Sequence, residues 1–464
     1  MGTRQRLRRT FALAGTLWTF LAITLTISFR PGIIANVVVA ATGDVGPDVR
    51  NKGEGETECL QYKDDIFMLA CSFTWDDHYN IDDYILLQAN EIFNGNDFEI
   101  DLQGLNFWEG LFQIDSAVDD NTAPVIKHVH VMNGQTSFTG GFIVQSDQNN
   151  FVVDSCSSSG TISGASSGDY RGGGGICGQQ CSGVILLINC WSTGPIEGRS
   201  AGGIAGRALA VAGGQAKIIN CWSEGGISGQ YSGGICGARA GENEGDVTIT
   251  KSYSKGDVKG ADSGGICGVS AGAGNGHVKI CQCFTLGDIS GDGSGGITGY
   301  RAGCDDGLVE ITDCYARGDI TGNAHTGGIC GRDTGQDLGV VRIENVYASG
   351  IKGANRGGII GSVYSNAKEV KITMSVYNGG SLIGSGSVTE ASGNSNDLID
   401  IRGKISCHPE GICWDTTTIW KETDALPMLQ AQISPSASVT STPTSTRLQL
   451  EHPLERLQRA QPHH

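Results

Sequence analysis

The sequence predicts an all-β chain folded as a single-stranded parallel β-helix, a solenoid with coils of about 31 residues. Three observations predict this fold. A Gly-Gly-aliphatic triplet returns every 28 to 32 residues, short segments alternate between apolar and polar residues, and the 464 residues include 72 glycines but only 10 prolines. Abundant glycine with little proline fits many tight turns between short strands.

The repeat is anchored on the aliphatic residue of the triplet. A second anchor is a small or thiol residue followed by an aromatic residue, as in Cys190-Trp191, and an alternating apolar pair such as Val247 and Ile249 lies before it. No segment has the 3.6-residue period of an amphipathic helix, so stacked short strands are favoured, with about 4.8 Å between coils. The first anchor falls at Ile176, Ile204, Ile235, Ile266, Ile297, Ile329 and Ile359.

The chain begins with a basic and then an apolar segment. Arginines precede an uncharged run from Thr10 to Phe29, and small residues near Ala41 offer a cleavage site. This pattern predicts an apolar helix within residues 1–42 that serves as a signal peptide or a signal anchor. We therefore expect a secreted or membrane-anchored protein that faces the extracellular side and contacts the membrane through this segment if it is not cleaved.

The rest of the chain divides by pattern. Caps are expected at both ends of the repeats, because the ends of a solenoid expose unpaired strand edges. Glycine-rich stretches such as "RAGENEGD" are expected to be loops that leave the coil along one edge. The predicted parts are a linker at 43–58, an N-terminal cap with irregular first coils at 59–155, regular repeats at 156–384, a C-terminal cap at 385–430 and a Ser/Thr/Pro-rich disordered tail at 431–464.

The repeat resembles a known family. The string "YSKGDVKGADSGGICG" is similar to the GLUG-type repeat of surface proteins, in which a Gly-Asp-Val/Ile element precedes a Gly-Gly-aliphatic element. The segment "TTTIWKETDALPMLQ" is similar to a short segment that often follows such repeats. The resemblance covers roughly residues 155 to 430. It implies a right-handed parallel β-helix with an adhesin-like role at a cell surface.

The cysteines recur at two positions of the repeat. Serine, valine, alanine or threonine replace them in some coils, so buried small side chains explain most of them. An oxidising compartment would also allow disulfides. The candidate pairs are Cys59 with Cys71, Cys236 with Cys267, and Cys407 with Cys413.

Three aspartates share one repeat position. Asp257, Asp288 and Asp319 are 31 residues apart, so stacking would place them in a column of like charge. A bridging calcium ion would relieve the repulsion, and calcium is the one cofactor that the sequence suggests. The alternative is a turn residue that caps its own loop. Gly226 and Pro195 hold this position in earlier coils, which favours the turn.

The net charge and the motifs limit the classes of function that the chain can have. The net charge of −17 argues against a nucleic-acid partner. No nucleophile–base signature or phosphate loop is present, so no catalytic residue is predicted. We expect an extracellular or cell-surface protein that binds glycans or surface proteins. Two alternatives stay open. A polysaccharide lyase-like or hydrolase-like enzyme would need acids and bases that converge in one groove, and a structural spacer on a cell or virion surface would need only the rod.

Overall fold

A computed structural model of the chain describes residues 59–392, with gaps at 64–65, 76–83, 116–117, 119–121, 146–148, 165–170, 323–324, 353–355 and 379–380, together with 394, 420–421 and 428–429. The predicted N-terminal helix, the linker, the tail and the Cys407 and Cys413 pair lie outside these residues. Within the described part, no helix is long and apolar enough to span a membrane.

The described residues form thirty short strands and no helix. In chain order they are β1 (Leu60–Lys63), β2 (Ile66–Leu69), β3 (Phe73–Thr74), β4 (Ile85–Leu87), β5 (Ile92–Asn94), β6 (Glu99–Asp101), β7 (Phe112–Ile114), β8 (Val125–Lys127), β9 (His130–Met132), β10 (Phe151–Asp154), β11 (Ser157–Ser158), β12 (Val184–Ile188), β13 (Trp191–Ser192), β14 (Gln215–Ile219), β15 (Trp222–Ser223), β16 (Asp246–Thr250), β17 (Tyr253–Ser254), β18 (His277–Cys281), β19 (Phe284–Thr285), β20 (Leu308–Thr312), β21 (Tyr315–Ala316), β22 (Val340–Glu344), β23 (Tyr347–Ala348), β24 (Gly357–Ser362), β25 (Glu369–Thr373), β26 (Val376–Tyr377), β27 (Ser381–Ser385), β28 (Glu390–Ser392), β29 (Trp420–Lys421) and β30 (Met428–Leu429).

The strands stack into a parallel β-solenoid. Sheet A has 13 strands in the order β1-β2-β5-β8-β10-β12-β14-β16-β18-β20-β22-β25-β28, and sheet B has 11 strands from β3 to β26. Single parallel bridges, such as Gly233 to Gly264 and Cys236 to Cys267, form a third side that we call side C. Among the described strands, β1–β2 and β29–β30 pair antiparallel, and one isolated bridge, Gly164 to Gly172, is antiparallel as well. The predicted all-β parallel solenoid with coils of about 31 residues is confirmed.

The alternating pairs of the sequence build the core. In β16, Val247 and Ile249 are fully buried, whereas Asp246, Thr248 and Thr250 face outward. The pair stacks in register on the equivalent pair of β18 in the next coil. Each buried aliphatic side chain contributes about 1.5 to 3 kcal/mol, so these columns tie every coil to its neighbours.

The first cysteine position closes the corner that follows sheet A. The chain turns there through a left-handed residue such as Asn220. The thiol of Cys221 then donates to the carbonyl of Ile219 at 3.4 Å, and the backbone N–H of Cys221 donates to Ser252 Oγ at 3.1 Å in the next coil. A thiol and a hydroxyl can both fill this corner, which explains why cysteine and serine exchange here.

The glycine-rich stretches stay within the coils. Arg239 N–H donates to the carbonyl of Val269 at 2.7 Å, and Asn243 N–H donates to that of Ala273 at 3.0 Å. The expectation that these stretches leave the coil is therefore wrong. Their backbone N–H groups need partners, and the next coil supplies them.

Candidate binding face

A row of aromatic side chains runs along the outside of sheet B. Each ring is followed in its strand by a buried serine, threonine or alanine, so the alternation of the strand turns the ring outward. Consecutive ring centroids lie 4.7 to 5.9 Å apart with interplanar angles of 4 to 10°. We call this the aromatic row, and it consists of Trp191, Trp222, Tyr253, Phe284, Tyr315 and Tyr347.

Only the first half of the aromatic row is accessible. Trp191, Trp222 and Tyr253 are partly exposed, whereas Phe284 and the rings after it are buried. Burial raises the pKa of the Tyr253 phenol, so its hydroxyl stays protonated and able to donate a hydrogen bond at neutral pH. A ligand approaching sheet B would therefore meet two indoles and one neutral phenol.

A charged pair flanks the exposed rings. Lys255 Nζ lies 2.6 Å from Glu224 Oε1 and 5.5 Å from the centroid of the Tyr253 ring. The hydrogen bond to Glu224 raises the pKa of Lys255. The exposed rings are thus accompanied by a cation and an anion that hold each other in place.

The aspartate column has its own hydrogen bonds. Asp288 N–H donates to Asp257 Oδ1 at 3.1 Å, and Asp319 N–H donates to Asp288 Oδ1 at 2.8 Å. Lys259 Nζ lies 3.3 Å from Asp257 Oδ2, and Lys352 pairs with Asp319. Among the residues the structure describes, no three His, Cys, Asp or Glu side chains converge to hold a metal ion. The calcium column stays a prediction.

The column belongs to a longer row beside the aromatic row. In each coil, parallel bridges align the residue that follows this position with its counterpart in the next coil. The aligned residues run from Trp108 and Thr136, through Ile162, to Val258 and Ile320. The residues just before these form what we call the turn row: Phe107, Gln135, Thr161, Pro195, Gly226, Asp257, Asp288 and Asp319. The aromatic row and the turn row together are the binding face.

A cluster of polar side chains ends the aromatic row on its N-terminal side. His130 Nδ1 lies 2.7 Å from Ser157 Oγ, and His130 Nε2 lies 3.5 Å from Asp97 Oδ1. The same carboxylate oxygen lies 2.9 Å from His128 Nδ1. Burial lowers the pKa of His130, although Asp97 acts in the opposite direction. This cluster has no signal in the sequence, because the length of the first coils varies, from 26 residues between Ile66 and Ile92 to 33 between Ile92 and Val125, and gives no fixed register.

This cluster brings a hydroxyl, an imidazole and a carboxylate together, as a nucleophilic enzyme would need. However, the Ser157 side chain belongs to a buried residue, and its backbone N–H donates to the carbonyl of Val129 at 2.9 Å. The N–H of Ser159 likewise donates to Val131 at 3.1 Å. Both N–H groups donate to carbonyls of the preceding coil, so they are not free to stabilise an oxyanion.

An ion pair between Asp262 and Arg332 spans two coils next to side C. Arg332 Nη2 donates to Asp262 Oδ2 at 2.9 Å. Arg332 Nε lies 2.6 Å from Asp262 Oδ1, but its direction does not allow a hydrogen bond. The guanidinium also lies 4.5 Å from the centroid of the Tyr300 ring. Gly293 lies between the partners, where a Cβ would overlap Asp262 Oδ1. Burial raises the pKa of Asp262, and Arg332 opposes this.

We expect Arg332→Met to lower the free energy of unfolding by about 2 kcal/mol at pH 7, because it leaves the Asp262 carboxylate buried without its partner. This expected loss of unfolding free energy is smaller than for a fully buried ion pair, because the Arg332 side chain is 40% exposed. Protonation of Asp262 would relieve the penalty, so the loss should be smaller at pH 4. Urea unfolding at both pH values measures it. An equal loss at pH 4 and pH 7 would show that the effect comes from packing alone.

Two of the three candidate disulfide pairs lie within the described residues. Cys59 and Cys71 are joined by a disulfide with a Cα–Cα distance of 4.9 Å near the N-terminal end. Cys236 and Cys267 are free, buried thiols on neighbouring coils of side C. A disulfide between them stays a prediction.

The fold and this face define a parallel β-solenoid with a mixed aromatic and charged outer surface. A scan against protein-family models and searches of curated proteins and of solved structures gave no match. The resemblance to GLUG-type repeats therefore rests on the sequence pattern alone.

Proposed function

We propose that the protein is a secreted or membrane-anchored, extracellular solenoid that binds glycans or surface proteins through the binding face. The exposed half of the aromatic row carries this proposal. Trp191, Trp222 and Tyr253 form an accessible row beside the Glu224 and Lys255 pair. Aromatic side chains with a few placed polar groups are typical of surfaces that bind ligands.

The stacking also favours binding, because it fixes the rings before a ligand arrives. Each ring is held by its neighbours at 4.7 to 5.9 Å, so little side-chain entropy remains to be lost on association. An adhesin-like role, in the manner of the proteins that the repeat resembles, is part of the same proposal. In the spacer alternative the same stack would only stiffen the rod, and the face would bind nothing.

The first test is a glycan array probed with the full chain, in calcium and in chelator. We expect binding by the wild type and at least a tenfold loss for Trp222→Ala, which removes the central exposed ring. Lys279→Ala is the matched control, because Lys279 is exposed on the outer side of sheet A and away from this face. Thermal melts show whether Trp222→Ala remains folded.

Each outcome separates the alternatives. Binding that is lost in chelator would support a calcium ion at Asp257, Asp288 and Asp319, whereas binding unchanged in chelator would leave them as turn residues. Absence of binding to glycans and to cell surfaces would favour the spacer. Cleavage of a polysaccharide would favour the enzyme.

A further inference from the structure

Two phenylalanines are exposed together near the N-terminal end of the turn row. The Phe107 side chain is 61% exposed and that of Phe138 is 37% exposed. Their ring centroids lie 5.8 Å apart, with planes at 86°. Large apolar side chains that are exposed side by side mark interaction sites more often than scattered ones do.

The backbone at Phe107 is left-handed, as it is at other bulky residues of the described chain such as Tyr231 and Leu338. Its φ of 64° lies in the left-handed region, which is unfavourable for a bulky aromatic residue. Its counterpart in the next coil, Gln135, does not share this conformation, so the coil geometry does not demand it. Glycine would adopt this backbone without strain, so a glycine substitution at Phe107 would remove the ring without disturbing the coil.

The surroundings hold both rings in place. Trp108, the next residue, is fully buried, and its Nε1–H donates to the carbonyl of Phe142 at 3.1 Å. Phe138 lies in a turn in which Ser137 Oγ accepts the backbone N–H of Gly140 at 2.9 Å. The two rings are therefore presented on a rigid base, which is the preorganisation that binding requires.

The ring faces distinguish this pair from the aromatic row. In the row each ring is stacked on its neighbours, so only ring edges meet the solvent. In the edge-to-face pair, the ring that meets its neighbour by an edge has neither face covered by that neighbour. The negative face of an aromatic ring attracts polarised C–H groups, and the apolar side of a sugar ring carries a set of them.

We propose that Phe107 and Phe138 form a stacking subsite for an uncharged sugar ring. This proposal rests on the proposed function, and it names the ligand class and the place on the binding face where the ligand docks. The net charge of −17 favours a neutral sugar over an anionic one, and Glu109 follows closely in the chain. The turn row connects the subsite to the exposed aspartates, so a glycan chain along the face would reach both.

The test compares Phe107→Gly with the wild type on an array of neutral and anionic oligosaccharides, with affinities from calorimetry. Glycine removes the ring and also relieves the left-handed strain. We expect at least a tenfold loss of affinity for neutral glycans together with an unchanged or higher melting temperature. Leu338→Gly is the matched control, because Leu338 is also apolar, 52% exposed and left-handed with φ 65°, but has no ring. It should retain full affinity.

The outcomes separate this inference from the proposed function. If the wild type and Phe107→Gly bind equally well while Trp222→Ala does not, the face binds glycans and the Phe107 subsite is wrong. If anionic glycans alone bind, the neutral ligand class is wrong. If no glycan binds and Phe107→Gly instead converts a dimer to a monomer in sedimentation, the pair is a contact between copies of the chain, and the inference fails.

Discussion

At alkaline pH we expect the solenoid to lose stability steeply in the presence of a reductant. The reason is the set of cysteines inside the core, whose thiols must stay neutral in the folded chain. Burial is the main cause that raises the thiol pKa at Cys156, Cys190, Cys304, Cys314 and Cys330. A hydrogen bond from a neighbouring thiol, followed by burial, raises it at Cys177 and Cys236.

The sign follows from proton binding. In the unfolded chain a thiol releases its proton near pH 8.5, about its ordinary pKa. In the folded chain it keeps the proton to a higher pH, so the folded state binds more protons between these two values. Stability is fully present below about pH 8.5 and is lost as the pH rises toward the folded pKa. Each such thiol removes up to about 1.4 kcal/mol per pH unit in this range, so several of them acting in one core make the loss steep.

Urea unfolding followed by tryptophan fluorescence at pH 7.5 to 9.8 measures this loss. Cys190→Ser is the matched variant, because Ser252 already fills the same corner and donates to the carbonyl of Thr250 at 3.0 Å. We expect the variant to lose about 1.4 kcal/mol per pH unit less than the wild type above pH 8.5. Stability that does not change up to pH 9.8 would mean that these thiols ionise as readily in the folded chain as in the unfolded chain. That result would contradict their burial.

The periodic part of the fold could be predicted from the sequence because every coil repeats the same buried positions. Val247 and Ile249 alternate as a strand requires, and the 31-residue spacing places them on Val278 and Ile280. The path of the glycine-rich stretches could not be predicted, because composition does not show where a backbone N–H finds its acceptor. Arg239 finds Val269 one coil away, and this follows only from the three-dimensional register.

The candidate site was only partly predictable. The sequence shows a ring after each corner residue, as in Cys190-Trp191, and alternation alone implies that such a ring faces outward. Its exposure is not in the sequence: Tyr253 is partly accessible and Tyr347 is not. The 61% exposure of Phe107 next to the fully buried Trp108 also has no local signal in the sequence.

The second large loss of stability is expected at the two consecutive glycines of side C, such as Gly264 and Gly265. We expect Gly264→Ala to destabilise the solenoid by about 3 kcal/mol or more. An added Cβ would overlap the carbonyl oxygen of Cys267 and lie 2.6 Å from Gly299 N in the next coil. Both are backbone atoms, so no side chain can move aside. The φ of Gly264 is not positive, and close approach alone demands the glycine.

Gly226→Ala is the control with the opposite expected sign. No atom lies within 4 Å of a Cβ at Gly226, and its φ is not positive. Alanine should therefore stabilise the fold by about 0.4 to 1 kcal/mol, because it restricts the unfolded chain. Urea midpoints of the two variants decide the matter. If both substitutions cost the same, the cost would come from glycine flexibility in general. A loss confined to Gly264→Ala would show that the coils touch through backbone at side C, where no side chain can be accommodated.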